Sequence, residues 1–110
     1  MAVVDMSEIP LTRNVAPGWD GRFLHTHHLT VAKWQITAGT KLPAHSHPNE
    51  QVTLVLSGEF EFSIGGEVVR ASAGQLAVVA EGVEHCGVAI TDCTLLDIFY
   101  PARRDYGAGR

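Results

Sequence analysis

The sharpest alternation of apolar and polar positions runs through residues 58–70, GEFEFSIGGEVVR. Phe60, Phe62 and Ile64 fall on one parity, and Glu59, Glu61 and Ser63 on the other. Successive side chains of a β-strand point to opposite faces, so this stretch predicts a half-buried strand with Glu59 and Glu61 solvated. Gly65-Gly66 supplies the positive φ angles of a two-residue hairpin turn, and the run beyond it predicts the returning strand. Apolar runs before Gly58, at QLAVV and at TLLDIFY predict further strands, the last of them interrupted by Asp97. From Phe23 to Thr37 the chain is rich in β-branched and aromatic residues with no Pro or Gly, which reads as one or two strands. Leu29 and Val31 share one parity while Trp34 and Ile36 share the other, so a bend or bulge is expected near Ala32. Pro10, Pro17, Gly18 and Gly21 punctuate the first 21 residues too often for a helix. Val3, Val4 and Ile9 suggest a short edge strand there, of the kind that pairs with a second subunit. No helical period is convincing, and short strands separated by Gly-rich turns predict an all-β barrel or double-sheet jelly roll.

Length fits this picture. One hundred and ten residues make one domain, 1–110, with 1–22 as an N-terminal arm or edge strand. The chain is 45% hydrophobic and 18% charged, ordinary for a globular protein. A net charge of −4 leaves no basic stripe for phosphates, so nucleic acid is excluded as a partner. An acidic substrate would need a local cation. The N-terminus carries Asp5 and Glu8 and does not read as a signal peptide, and no run approaches the ~20 apolar residues that span a bilayer. A soluble, cytoplasmic protein without a membrane partner is expected. Cys86 and Cys93 lack the spacing of a paired zinc or redox motif. Cys86 reads as a buried free thiol facing away from His85, and a disulfide between the two cysteines stays open.

Histidines carry the candidate chemistry. His45 and His47 are two apart, so on a strand both imidazoles share a face; Gln51 follows, and His85 arrives downstream in GVEHCGV. If these strands pair, three nitrogens and one oxygen converge, which suits a borderline divalent metal such as Zn, Ni, Fe, Mn or Co. A polar strand face is the alternative. His25, His27 and His28 include a second His-x-His without comparable framing, which reads as surface or pocket-rim imidazoles, a second metal site being the minor alternative. Glu81 and Glu84 read as exposed loop carboxylates. Asp97 and Phe99 share a strand face, and a buried Asp needs a partner. A metal-side catalytic role and a structural pairing with Arg103 or Lys33 stand level.

The spacing around the histidines resembles the cupin family. Gly39, five residues, His45-x-His47, three residues, Gln51, six residues and Gly58 match its first signature, with Gln51 where most members have Glu. Gly74, five residues, Ala80-x-Gly82, two residues and His85 match the second, with Ala80 where Pro is usual and Ala89 where Asn is frequent. The resemblance covers about the middle half of the chain and implies the cupin double-stranded β-helix, a jelly-roll barrel. HSHPNEQVTLVLSGEFEFSIGGE, with Asp97-x-Phe99, Pro101 and Arg103, is similar in particular to the KdgF-type pectin-degradation cupins. That resemblance implies His45, His47, Gln51 and His85 as metal ligands, Asp97 and Arg103 as catalytic groups, and Phe99 and Arg103 as substrate-binding groups. It puts Gln51, not the neighbouring Glu50, at the ligand position, and strand parity sends those two side chains apart. The implied activity is the non-redox opening of 4,5-unsaturated uronates to 5-keto-4-deoxyuronate. A metal-dependent dioxygenase and a non-catalytic binding cupin are the alternatives. The expected partners are a small acidic sugar or organic acid and a second copy in a homodimer.

Overall fold

The computed structural model describes residues 2–106. Ten strands follow one another: β1 (Thr12–Ala16), β2 (Trp19–His25), β3 (Thr30–Ile36), β4 (Lys41–His45), β5 (Glu50–Ser57), β6 (Glu59–Ile64), β7 (Glu67–Ser72), β8 (Leu76–Val79), β9 (His85–Ala89) and β10 (Cys93–Tyr100). They form a six-stranded sheet in the order β1-β2-β3-β10-β5-β8 and a four-stranded sheet in the order β4-β9-β6-β7. Neighbours in both sheets pair antiparallel. This is the expected double-sheet jelly roll. Among the described residues, no helix is long and apolar enough to cross a membrane.

The parity pattern sets the core. Ala32, Trp34 and Ile36 of β3 and Leu95 and Phe99 of β10 are buried on the inner face of the larger sheet, and Phe60 and Phe62 of β6 are buried in the smaller one. Trp19 meets Trp34 and Phe60 edge to face, with ring centroids 5.4 and 5.9 Å away. Glu59 and Glu61, on the other parity of β6, pair with the exposed Arg70 on β7, as expected of a solvated face. Ile64 pairs with Glu67 across Gly65-Gly66, whose φ angles of 56° and 85° make the anticipated two-residue turn.

Gly58 joins β5 to β6 with φ +84°, and a Cβ there would stand 2.2 Å from the Asp92 carbonyl oxygen. Backbone cannot yield as a flexible side chain does. Gly58→Ala is therefore expected to destabilise the protein by about 2 kcal/mol or more, the left-handed penalty plus the clash. Urea unfolding would read this, and a wild-type midpoint would refute it.

Three local expectations are corrected. The edge strand is β1, not the Val3, Val4 and Ile9 region; Val3 and Val4 are exposed, and Met6–Glu8 form a single 3-10 turn capped by Asp5. Pro17-Gly18, with Gly18 at φ 79°, is the turn linking β1 to β2, and β1 is the edge strand of the large sheet. The anticipated bulge at Ala32 is absent, because β3 pairs without interruption with both β2 and β10. Leu29 lies before β3, in the turn closed by the Thr26 N–H on its carbonyl, so its parity says nothing about the strand. Both cysteines are free thiols; Cys93 is the buried one and Cys86 is only half-buried.

Candidate metal centre

β4 ends on His45 and β9 begins on His85, and the two residues are direct cross-strand partners. A register irregularity between Leu42 and His45 lies beside them, where such a kink re-aims a side chain. His47 is beyond the end of β4, so strand parity does not place it. Its carbonyl accepts from Gly82 N–H at 2.9 Å, and the loop is held further by Asn49 Nδ2 donating to the Pro101 carbonyl at 2.6 Å. The ring centroids of His45 and His85 are 4.2 Å apart, and those of His47 and His85 4.9 Å.

Each imidazole has its Nδ1 against a backbone carbonyl: His45 with Pro43 at 2.8 Å, His47 with Asn49 at 3.0 Å and His85 with Val83 at 2.9 Å. A carbonyl only accepts, so Nδ1 carries a proton in all three rings, and in the neutral imidazole the lone pair is then on Nε2. Backbone partners of this kind fix the tautomer and orientation of metal-binding histidines. The candidate ligand atoms of the three side chains lie within 4.8 Å of one another, the only such group of three found among the described residues.

Two further observations test whether a cation fits. His85 Nε2 is buried with no hydrogen-bond partner. His47 Nε2 stands 3.0 Å from Gln51 Oε1, so a lone pair faces a carbonyl-type oxygen unless something positive lies between them. Protonation is disfavoured. Burial first, then the charges of Arg103 and His85, push the His47 pKa below its ordinary value; burial first, then His45 and Arg103, does the same to His85. Neutral imidazoles with converging lone pairs are the form that binds a metal. Gln51, buried on β5, presents its oxygen to this cluster, whereas Glu50 points out to solvent.

Asp97 lies on the inner face of β10 and is 5% exposed. Its Oδ2 accepts from Trp34 Nε1 at 2.9 Å and its Oδ1 from the Thr53 hydroxyl. Burial raises its pKa from 3.8 to about 6, against the opposing pull of those hydrogen bonds, of Gln51 and of the Arg103 charge. The expected structural partners are corrected here: Lys33 pairs with Leu96 on the other face of the sheet, and Arg103 acts on Asp97 through its charge, without a salt bridge.

Arg103 bonds the Tyr106 hydroxyl at 2.7 Å and Asp105 at 3.0 Å, and its guanidinium lies 4.1 Å from the Tyr106 ring centroid and 5.2 Å from that of Phe99. His45, Gln51, His85, Asp97, Phe99 and Arg103 line one cavity of about 320 Å³, at the small end of the range for small-molecule sites. Most of its remaining wall is apolar or aromatic. Trp19 belongs to that wall, and its indole N–H is buried without a partner.

Tyr106, Thr53 and Trp34 were not anticipated at the site. Tyr106 stacks on Phe23 with centroids 5.0 Å apart, 81 positions after His25, whose Nε2 meets the Tyr106 carbonyl at 3.0 Å. His25 thus tethers the C-terminal segment at the pocket. His27 and His28 are exposed, in keeping with surface imidazoles.

A family model described as "Cupin domain" matches residues 32–99. Among solved structures, KdgF from Halomonas sp. is 28% identical with a TM-score of 0.89, over 96% of this chain and 98% of that one. An RmlC-like cupin from Shewanella frigidimarina is 27% identical, also with a TM-score of 0.89, over 96% of each chain. An uncharacterised protein of Streptomyces coelicolor is 26% identical across 102 residues, 92% of this chain and 97% of its own length.

Proposed function

This chain belongs to the cupin domain family, and from that premise we propose that it is a metal-dependent, non-redox enzyme opening the ring of a 4,5-unsaturated uronate monosaccharide. The observation that carries the reading is the meeting of a buried carboxyl of raised pKa and a guanidinium at one small cavity, beside the cluster of three imidazoles. A group held near neutrality in a cleft with a charged partner is suited to moving protons at neutral pH. The likeness to Halomonas KdgF, over nearly the whole of both chains, supports the substrate class.

A divalent transition metal held by His45, His47, His85 and Gln51 would supply positive charge against the substrate's oxygens, undiminished by any anionic ligand. The remaining chemistry falls to the chain. The substrate is a cyclic enol ether with a carboxylate and an anomeric hydroxyl. Removing the hydroxyl proton makes C1 a carbonyl and breaks the C1–O5 bond, leaving an enolate between O5 and C4. Adding a proton at C4 gives the 5-keto-4-deoxy product, an isomer formed with no net water or redox change. Asp97 takes the first proton and returns one at C4. Arg103 binds the substrate carboxylate through charge-assisted hydrogen bonds, and Phe99 packs against the sugar ring. The aromatic wall excludes water from the enolate, and the Trp19 N–H is a donor for a substrate oxygen.

The test is the ultraviolet absorbance of 4,5-unsaturated galacturonate mixed with metal-loaded protein. The conjugated chromophore should disappear faster than it does spontaneously, and His45→Ala should remove the acceleration. No acceleration by a protein shown to carry metal would overturn the proposed substrate.

A further inference from the structure

Four polar side chains run in a line beneath the imidazoles: Gln51, Thr53, Asp97 and Trp34. Two of them, Thr53 and Trp34, have no part in the reaction above. Thr53 is 1% exposed and Trp34 is 3% exposed, so neither bonds to water in passing. Gln51 Nε2 meets Thr53 Oγ1 at 2.9 Å, Thr53 Oγ1 meets Asp97 Oδ1, and Trp34 Nε1 meets Asp97 Oδ2 at 2.9 Å.

Donor arithmetic gives this line a direction. An indole N–H can only donate and an ionised carboxylate can only accept. Asp97 therefore accepts at both oxygens, and Thr53 spends its single hydroxyl proton on Oδ1. With that proton committed, Thr53 meets Gln51 only as an acceptor, so the atom facing it must be the amide nitrogen. The amide oxygen is then left on the other side, 3.0 Å from His47 Nε2. A carboxamide has no such preference by itself. Rotated by half a turn, it would aim an N–H pair at the cluster, and an amide nitrogen is no ligand.

We infer that Thr53 is a positioning residue for the metal centre, holding the Gln51 carboxamide oxygen-first towards the imidazoles by passing on the acceptor demand of Asp97. Trp34 anchors the far end by occupying the second carboxylate oxygen. The inference rests on the ligand set proposed above. It adds a reason why a Gln serves where a carboxylate, with two equivalent oxygens, would need no orienting.

The probe is cobalt(II) alone, titrated into metal-free protein at pH 8, where Asp97 is ionised, and followed by its visible absorption bands. Thr53→Val keeps the shape and loses the hydroxyl. It should bind cobalt about 10–100-fold more weakly, the usual effect of removing a group that orients a ligand. Thr53→Ser restores the hydroxyl and should restore the affinity to within about threefold, together with the wild-type spectrum. Thermal melting of the metal-free variants separates positioning from simple damage. If Thr53→Val binds cobalt as wild type does, whatever its melting temperature, Thr53 has no positioning role and the ligand set stands. If wild type binds no cobalt, the ligand set falls and the inference falls with it.

Discussion

Asp97→Asn, assayed at saturating metal, is expected to lower ring-opening turnover by roughly 10²–10⁴-fold, the range for loss of a general acid–base group. Saturating metal matters because an Asn can present either atom to Thr53 and so disturb the Gln51 amide as well. A second readout follows from the raised pKa. In the metal-free protein Asp97 titrates near 6, against 3.8 when exposed, so between those values the folded state holds a proton that the unfolded state has released. Stability falls as pH rises through such a window. The full difference is on the order of 3 kcal/mol, present below pH 4 and lost above pH 6. His47 and His85, with pKa values lowered by burial, slope the other way, but they do so in both proteins and cancel in the comparison. The difference in unfolding free energy between wild type and variant should therefore change between pH 4.5 and pH 7, in favour of the variant at the higher pH. Full turnover by Asp97→Asn would remove its catalytic role, and a pH-independent difference would remove its perturbed pKa.

The strands and the imidazoles were legible for the same reason: both are written in short spacings. Alternation within six residues places Phe60 and Phe62, glycines frame the turns, and His45, Gln51 and His85 each have a fixed distance from a glycine. His47 joined its partners by a different route, since β4 stops before it and a loop bonded to Gly82 and Pro101 aims the ring. Asp97 was legible as an anomaly, a charge in an apolar strand, but its partners were not. Trp34 is 63 positions away, and Thr53 looks like any β-former in an apolar run. Only the register of β10 between β3 and β5, with Asp97 opposite Ala32 and Thr53, brings an indole and a hydroxyl to its two oxygens. The same register puts Lys33 on the outer face. Tyr106 left no local pattern at all, because what seats it is the Phe23 ring and the backbone tether from His25.

Metal loading should raise the melting temperature of the wild-type protein by about 10–20 °C when free metal exceeds its dissociation constant about 100-fold, and His85→Ala should abolish that rise. Ligand bound only by the folded state at that excess contributes about 2.7 kcal/mol, and each kcal/mol moves the midpoint of a domain this small by about 4–8 °C. The contrast with the metal-free variant makes the experiment decisive. Without metal, His85 Nε2 is a buried polar atom with no partner, a loss of roughly 1–3 kcal/mol that Ala removes. Against that gain, Ala gives up the hydrogen bond to Val83 and leaves a void in the cavity wall. These effects oppose each other, so the metal-free melting temperature should shift by only a few degrees while the metal-induced rise disappears. The pH dependence of the rise has a definite sign. Protons compete with metal for Nε2, and burial holds His47 and His85 below the ordinary 6.5, so the rise should persist in mildly acidic buffer and fade only below that value. A variant that kept the wild-type increment would place the metal somewhere other than beside His85. A large loss of metal-free stability with the increment intact would instead make this histidine a structural residue, its unpartnered nitrogen a cost the fold bears for packing.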